Sequence, residues 1–297
     1  MSQQETNPSR VPVTRNYGPL PDQVGDILVP DGHSPHPVVV VIHGGFWRER
    51  FKRDRIAPLA EDLTSRGWAT WNIEYRRVGE SGGGFPETFE DVANAIDYLN
   101  DLSEEYELDL ARTVLLGYSA GGHLAVWAGN RHVLRRGAPG AEPAVEPMAV
   151  VSLAGVMDLE EAHRLGTGNN ATEPFIHETV PSRYQLTSPT AMLPAKRLSI
   201  LVHGENDANV PHDQSLRYVE KARETGDLTP LLAVIPGADH PAMVDPAGEA
   251  WKRVAAGLDW LLSVSKGNSL PLPNGFRGPQ GHEVELLIDS ARHTLSD

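Results

Sequence analysis

The chain has 297 residues, a hydrophobic fraction of 40% and a formal net charge of −14 at pH 7. That charge argues against nucleic acid or an anionic membrane as a partner, since both require positive patches. With no cysteine, disulfides, thiolate metal sites and a cysteine nucleophile are excluded. No apolar run approaches the ~20 residues that span a bilayer, and the first fifteen residues are polar, so no signal peptide is read and a cytoplasmic location is expected.

Alternating strand and helix patterns predict one α/β domain over residues 24–264. Residues 1–23 are polar and proline-punctuated, and are expected to form a loosely packed arm. Residues 24–29 read as an early strand. Val38-Val39-Val40-Val41-Ile42 is a continuous β-branched run, as expected for a strand buried on both faces. It ends in His43-Gly44-Gly45-Phe46-Trp47. Glycines at a strand end let backbone N–H groups face an open site and hold an oxyanion; an ordinary glycine turn with two packed aromatics is the bland alternative. Helix 55–66 places Ile56, Leu59, Ala60 and Leu63 on one face, and residues 68–73 form the next strand. After a flexible glycine run at 81–84, helix 86–100 turns Phe89, Val92, Ala93, Ile96 and Leu99 to the core.

The segment Thr113-Val114-Leu115-Leu116-Gly117-Tyr118-Ser119-Ala120-Gly121-Gly122-His123-Leu124 is the most informative in the chain. An apolar run feeds a Gly-x-Ser-x-Gly turn, and a helical pattern follows, which is the strand–turn–helix context that gives this motif meaning. Gly117 and Gly121 lack a Cβ, so strand and helix can approach closely around a serine pushed out above the sheet edge. The first helical N–H groups then point at negative charge developing beside it.

Residues 135–147 form a Gly/Pro/Ala loop and 148–153 a strand. Leu198-Ser199-Ile200-Leu201-Val202 is another buried run, ending in His203-Gly204-Glu205-Asn206-Asp207. Pro211 then opens an amphipathic helix with Leu216, Val219 and Ala222 on its face. Leu231-Leu232-Ala233-Val234-Ile235 is the last strand, followed by a loop presenting His240. The chain order Ser119, Asp207, His240 is the order expected of a triad built around this turn. Asp239 is a rival acid but adjoins His240, and neighbouring loop residues diverge; Asp213 is a weaker rival. Asp158 reads as a helix cap with Glu161 three residues on. His43 and His203 read as braces and His123 as structural, since a base on the serine helix would duplicate the downstream histidine. No His-Glu-x-x-His pattern or spaced acidic cluster occurs, so neither metal nor cofactor is expected.

Residues 158–197 exceed what a crossover needs and are expected to form a cap or pocket wall, with a meandering surface loop as the alternative. Helix 246–264 closes the domain. Residues 265–297 form a Gly/Pro-rich extension with an alternating segment at 284–288, open between a docked helix, a homodimer contact and a loose tail.

On His43-Gly44-Gly45-Phe46-Trp47, Glu74-Tyr75-Arg76, residues 85–92, Gly117-Tyr118-Ser119-Ala120-Gly121-Gly122-His123, the Asp207 loop and His240, the chain resembles the α/β-hydrolases over residues 24–262. That resemblance implies an α/β fold with a mostly parallel, twisted sheet of about eight strands and helices on both faces. Within that fold the chain is similar to the esterase/lipase group related to hormone-sensitive lipase and kynurenine formamidase. The lipase-like branch usually carries a third glycine where this chain has Phe46. An aromatic followed by Trp47 is closer to the formamidase-like branch.

Ser119 is therefore expected to attack a carbonyl, with His240 as base and Asp207 fixing the imidazole tautomer. N–H groups of Gly45, Phe46 and Ala120 would form the oxyanion hole. Phe46, Trp47 and Tyr118 would wall a shallow pocket for small or aromatic esters. An arylformamide substrate is the second reading. A non-catalytic receptor is the third, disfavoured because all three triad residues are present.

Overall fold

The computed structural model describes residues 11–278 apart from 267, 269 and 270. Eight strands form one sheet: β1 (Val13–Asn16), β2 (Val24–Leu28), β3 (His36–Ile42), β4 (Ala69–Ile73), β5 (Leu108–Tyr118), β6 (Ala149–Leu153), β7 (Ser199–Gly204) and β8 (Leu231–Ile235). Their spatial order is β1-β2-β4-β3-β5-β6-β7-β8. β1 and β2 pair antiparallel, as do β2 and β4; all other pairs are parallel. The mostly parallel eight-stranded α/β sheet is the architecture the α/β-hydrolase resemblance implies.

The β-branched run of β3 is buried on both sides. Val38, Val40 and Ile42 join the apolar cluster on one face of the sheet, while Val39 and Val41 join the cluster on the other. This period-two split is why an all-apolar strand suits the centre of a doubly covered sheet. From β3 the chain proceeds outward to β4; from β5 it proceeds the other way to β6. The two crossovers leave a crevice beyond the carboxyl ends of β3 and β5, where ligands bind in open α/β sheets.

Helix α1 spans Ala57–Ser65, α2 Glu87–Asp97, α3 Leu99–Glu105 and α4 Ala120–Asn130. The single helix expected over 86–100 is thus two helices that meet at Tyr98, although Phe89, Val92, Ala93, Ile96 and Leu99 are all buried as expected. The arm expected over 1–23 also needs correction. Its residues 13–16 are β1, held by pairing from Val13↔Ile27 to Asn16↔Val24 and by Thr14 Oγ1 donating to Asp26 Oδ1 at 2.6 Å. β1 is a short, largely exposed edge strand, so it lacks the apolar alternation that would reveal it.

The helix after β7 spans Asp213–Glu224 and starts two residues beyond Pro211. Its buried face carries Gln214, Ser215, Tyr218, Val219 and Ala222, while Leu216 is exposed. The helix Glu249–Ser265 covers one sheet face with Trp251, Val254, Leu258 and Leu261. Residues 158–197 fold into short helices, including Leu159–Arg164, Thr172–Ile176 and Pro181–Thr187. At the start of the C-terminal extension, Arg277 exchanges both backbone hydrogen bonds with Leu232 of β8. The alternating segment at 284–288 lies outside the described residues.

Candidate active site

The ends of β3, β5 and β8 converge on a cavity of about 300 Å³. Ser119 and His240 both line it, together with His43, Gly44, Gly45 and Phe46.

Ser119 stands between β5 and α4 with φ 57° and ψ −120°, a backbone state that a non-glycine residue adopts only under strain. The surroundings enforce it. Ser119 N–H donates to Leu153 O at 2.7 Å, tying the turn to β6. A Cβ on Gly117 would collide with the Gly121 carbonyl, and one on Gly121 with the carbonyls of Ile42 and His43. At Gly44 a Cβ would come within 2.6 Å of Tyr118 O and 2.9 Å of Ser119 Cβ. Glycine at these positions lets the β3 loop and the serine turn touch backbone to backbone. Ala120 is the first residue of α4, whose leading N–H groups have no acceptor inside the helix.

The loop after β3 is braced from below. His43 Nε2 lies 2.7 Å from Glu74 Oε1 and Nδ1 lies 2.8 Å from Gly44 O. The His43 ring stacks on Tyr75 at 4.4 Å, and Tyr75 Oη donates to His43 O at 2.7 Å. Glu74 also meets Arg77 Nη1 at 2.7 Å. Burial pushes the Glu74 carboxyl upward, but the hydrogen bond from His43 and the charges of His43 and Arg77 outweigh it and hold the pKa below its ordinary value. Phe46 and Trp47 follow at φ 51° and 56°. The N–H groups of Gly45 and Phe46 find no acceptor among the described residues.

His240 and Asp207 meet across the β7 and β8 loops. His240 Nδ1 lies 2.6 Å from Asp207 Oδ2. The other carboxylate oxygen accepts from the N–H groups of Asn209 at 2.9 Å and Val210 at 2.8 Å. His203 Nε2 lies 3.4 Å from Asp207 Oδ2, while its Nδ1 contacts Ser215 Oγ at 2.8 Å. Desolvation opposes ionisation of Asp207, yet hydrogen bonds from His203, His240 and the Val210 N–H prevail and hold it well below the usual carboxylate range. Asp239, the rival acid, instead accepts from Ala242 N–H at 3.1 Å. Tyr118 Oη donates to His240 O at 3.2 Å, and the two rings sit 4.8 Å apart. Burial, reinforced by the charge of Asp207, raises the Tyr118 hydroxyl pKa, so it stays a donor.

Comparison with known proteins meets this geometry at the family level. The BD-FAE family model matches residues 26–222, more than half of the chain. The chain belongs to the BD-FAE family. Esterase LipQ of Mycobacterium tuberculosis is 29% identical over 216 residues, covering 69% of this chain and 50% of LipQ. A probable isoprenylcysteine alpha-carbonyl methylesterase of Arabidopsis thaliana, ICMEL1, is 26% identical over 71% of this chain and 47% of its own. The chain thus spans about half the length of the curated relatives it matches. Among solved structures, a truncated carbohydrate esterase from gut microbiota superposes with a TM-score of 0.70 at 22% identity, covering 86% of this chain and 96% of the other. Esterase Est2 of Thermogutta terrifontis gives 0.69 at 20% identity, covering 86% and 92%. These likenesses establish the α/β-hydrolase fold.

Not every expected site residue of this BD-FAE member reaches the cavity. Trp47 is 1% exposed and stacks on Phe175 at 4.3 Å, inside the core rather than on the cavity wall. Its left-handed φ turns the chain back into the protein directly after Phe46. None of residues 158–197 lines the cavity either. They press on the β3 loop from behind: Phe175 on Trp47, Gly168 against the Phe46 ring, and the Gly168 and Asn169 carbonyls on Arg48 Nη2 at 2.9 and 3.1 Å. Phe51, Arg55, Ile56 and Val244 do line it, and no motif pointed to them. His123 is fully buried; its Nε2 meets Thr187 O at 2.8 Å and its ring is edged by Trp47, Phe89 and Phe175. Asp158 Oδ1 accepts from Glu161 N–H at 3.0 Å, as a helix cap.

Proposed function

We propose that this chain is a serine hydrolase that cleaves carboxylic esters of small or aromatic substrates through an acyl-enzyme. The observation that carries the reading is the 2.6 Å contact between His240 Nδ1 and Asp207 Oδ2, with His240 and Ser119 opening onto one cavity. In this reading His240 takes the Ser119 hydroxyl proton as Ser119 Oγ bonds to the substrate carbonyl carbon. The tetrahedral oxyanion is held by N–H groups of Ala120, Gly45 and Phe46; losing one such donor costs ~3 kcal/mol in the transition state. The carbonyl reforms, the alkoxy group departs and takes the proton from His240. Water then repeats the sequence on the acyl-enzyme. Asp207 stays ionised, holds the imidazole tautomer and stabilises the imidazolium. Ester chemistry is also what the names of the mycobacterial relatives carry.

An aryl formamide would pass through the same steps, with an amine leaving. Phe46 on the cavity wall favours that second reading; Trp47, packed in the core, does not contribute to it. The deciding experiment has two parts. A fluorophosphonate probe should label Ser119 stoichiometrically, and Ser119→Ala should abolish both labelling and turnover. His240→Ala should lose about as much as Ser119→Ala, with the double variant little worse, because such residues act as a unit. Full labelling of Ser119→Ala rejects the assignment. Comparing turnover of N-formylkynurenine with 4-nitrophenyl acetate then separates formamide from ester.

A further inference from the structure

Among the described residues, the cavity holding Ser119 and His240 is lined by one permanently charged side chain, Arg55, and by no carboxylate. Arg55 lies in the short 3₁₀ turn Arg53–Ile56, just ahead of α1. The turn is anchored by Ile56, which is 1% exposed and lines the same wall. The Arg55 guanidinium sits 4.7 Å from the centroid of the Phe51 ring, within cation–π range. Phe51 in turn is wedged against Gly45, where a Cβ would meet Phe51 side-chain atoms. The stack therefore ties the guanidinium to the loop that carries the proposed oxyanion donors.

Arg53, two residues earlier, is paired with Asp26 at 2.7 Å; among the described residues no carboxylate pairs with Arg55. The chain as a whole carries −14, a field that repels anions from most of its surface. Arg55 is exposed, so on the wall it shares with Phe51, Ile56 and Val244 it acts on an entering anion as a solvent-screened, salt-sensitive charge.

Arg55, Tyr118 and His240 line the same cavity. The Tyr118 hydroxyl donates to the His240 carbonyl at 3.2 Å. The group leaving the tetrahedral intermediate must lie within hydrogen-bond reach of His240 to be protonated. The leaving half of the substrate thus lies beside His240, in the cavity that Arg55 also lines.

We propose that Arg55 selects esters whose alcohol half carries a carboxylate or comparable anion. This substrate class rests on the serine-hydrolase reading above.

The intact chain is tested with a pair of esters matched in shape, 3-acetoxybenzoate and 3-acetoxybenzamide. At low salt kcat/KM should favour the anion about fivefold, the scale of one partly exposed ion pair, and the preference should shrink toward one in ~1 M salt. Arg55→Gln should remove the preference, Arg55→Lys should retain part of it, and Arg55→Glu should invert it. A preference unchanged in Arg55→Gln overturns the proposal. So does a stronger preference for charge on the acyl half, read from 4-nitrophenyl hydrogen glutarate against 4-nitrophenyl butyrate. Binding of the leaving products, 3-hydroxybenzoate and 3-hydroxybenzamide, measured by NMR titration, needs no turnover. Carboxylate-selective binding lost in Arg55→Gln, with neither ester cleaved, supports Arg55 and rejects the hydrolase reading. Cleavage with Ser119 labelled but no carboxylate preference does the reverse.

Discussion

Asp207 serves two imidazoles at once. One of its oxygens faces both His240 at 2.6 Å and His203 at 3.4 Å, and the other is filled by two backbone N–H groups. An acceptor so fully occupied has one ionised state and one orientation. Asp207→Asn should fold normally yet lose about 10⁴ in kcat, because an amide presents an N–H where His240 needs an acceptor. Asp239→Asn should stay within a few-fold of wild type. The reverse ranking in a kcat comparison would make Asp239 the orienting acid. His123 gives a second residue-scale test. Burial lowers its pKa from 6.5 to about 4, outweighing the bond to Thr187 O. The folded protein therefore binds this proton more weakly than the unfolded chain does. Stability is complete above pH 6.5 and falls as pH drops toward 4, by roughly 3 kcal/mol for this group. Urea unfolding of wild type and His123→Gln between pH 7.5 and 4.5 should show the steeper fall in wild type; parallel curves would refute it.

At the scale of elements, the β3 loop and the serine turn share one problem: two backbones must approach closer than any side chain allows. Gly44, Gly117 and Gly121 solve it in concert, and their spacing made this part of the site legible from the motifs alone. Trp47 shows where such legibility stops. A motif gives the order of residues but not the sign of a backbone angle, and the positive φ at Phe46 and Trp47 decides which ring faces the cavity. Trp47→Ala should consequently cost about 3–5 kcal/mol of stability, as removal of a fully buried aromatic does, and leave the ester chain-length profile unbroadened. Thermal unfolding and an ester series on the variant check both halves. A stable variant with a broadened profile would return Trp47 to the pocket wall.

At the scale of the molecule, the parallel strands were readable because each is a dense apolar run ending in loop residues of distinctive chemistry. The polar devices were not. Gln214 accepts from Asp158 N–H and Ser215 meets His203, so the helix Asp213–Glu224 buries polar residues and exposes Leu216. Hydrophobic periodicity misassigns such a face by construction. β1 was hidden for the complementary reason, as an exposed edge strand with nothing apolar to alternate. Phe51 and Arg55 come to the cavity from the stretch ahead of α1 and Val244 from the stretch after β8, a convergence only the folded sheet creates. A cavity of about 300 Å³ so assembled suits short acyl groups. Each methylene that does not fit forfeits ~0.8 kcal/mol of burial and adds strain. kcat/KM on 4-nitrophenyl esters should peak at two to four acyl carbons and fall by eight; a maximum at eight or beyond rejects the short-acyl reading.

The placement of residues 158–197 behind the β3 loop changes how this part of the chain can vary. A lid that overhangs a cavity can be exchanged to retune substrate entry while the chemistry stays intact. Here the equivalent segment is a buttress: Phe175 and Gly168 seat the two aromatics that follow Gly45. Grafting a foreign segment in its place would move the proposed oxyanion donors before it touched any substrate. Drift in this region is thereby yoked to the proposed reacting centre, and specificity is freer to diversify at Val244, which lines the cavity from the stretch after β8.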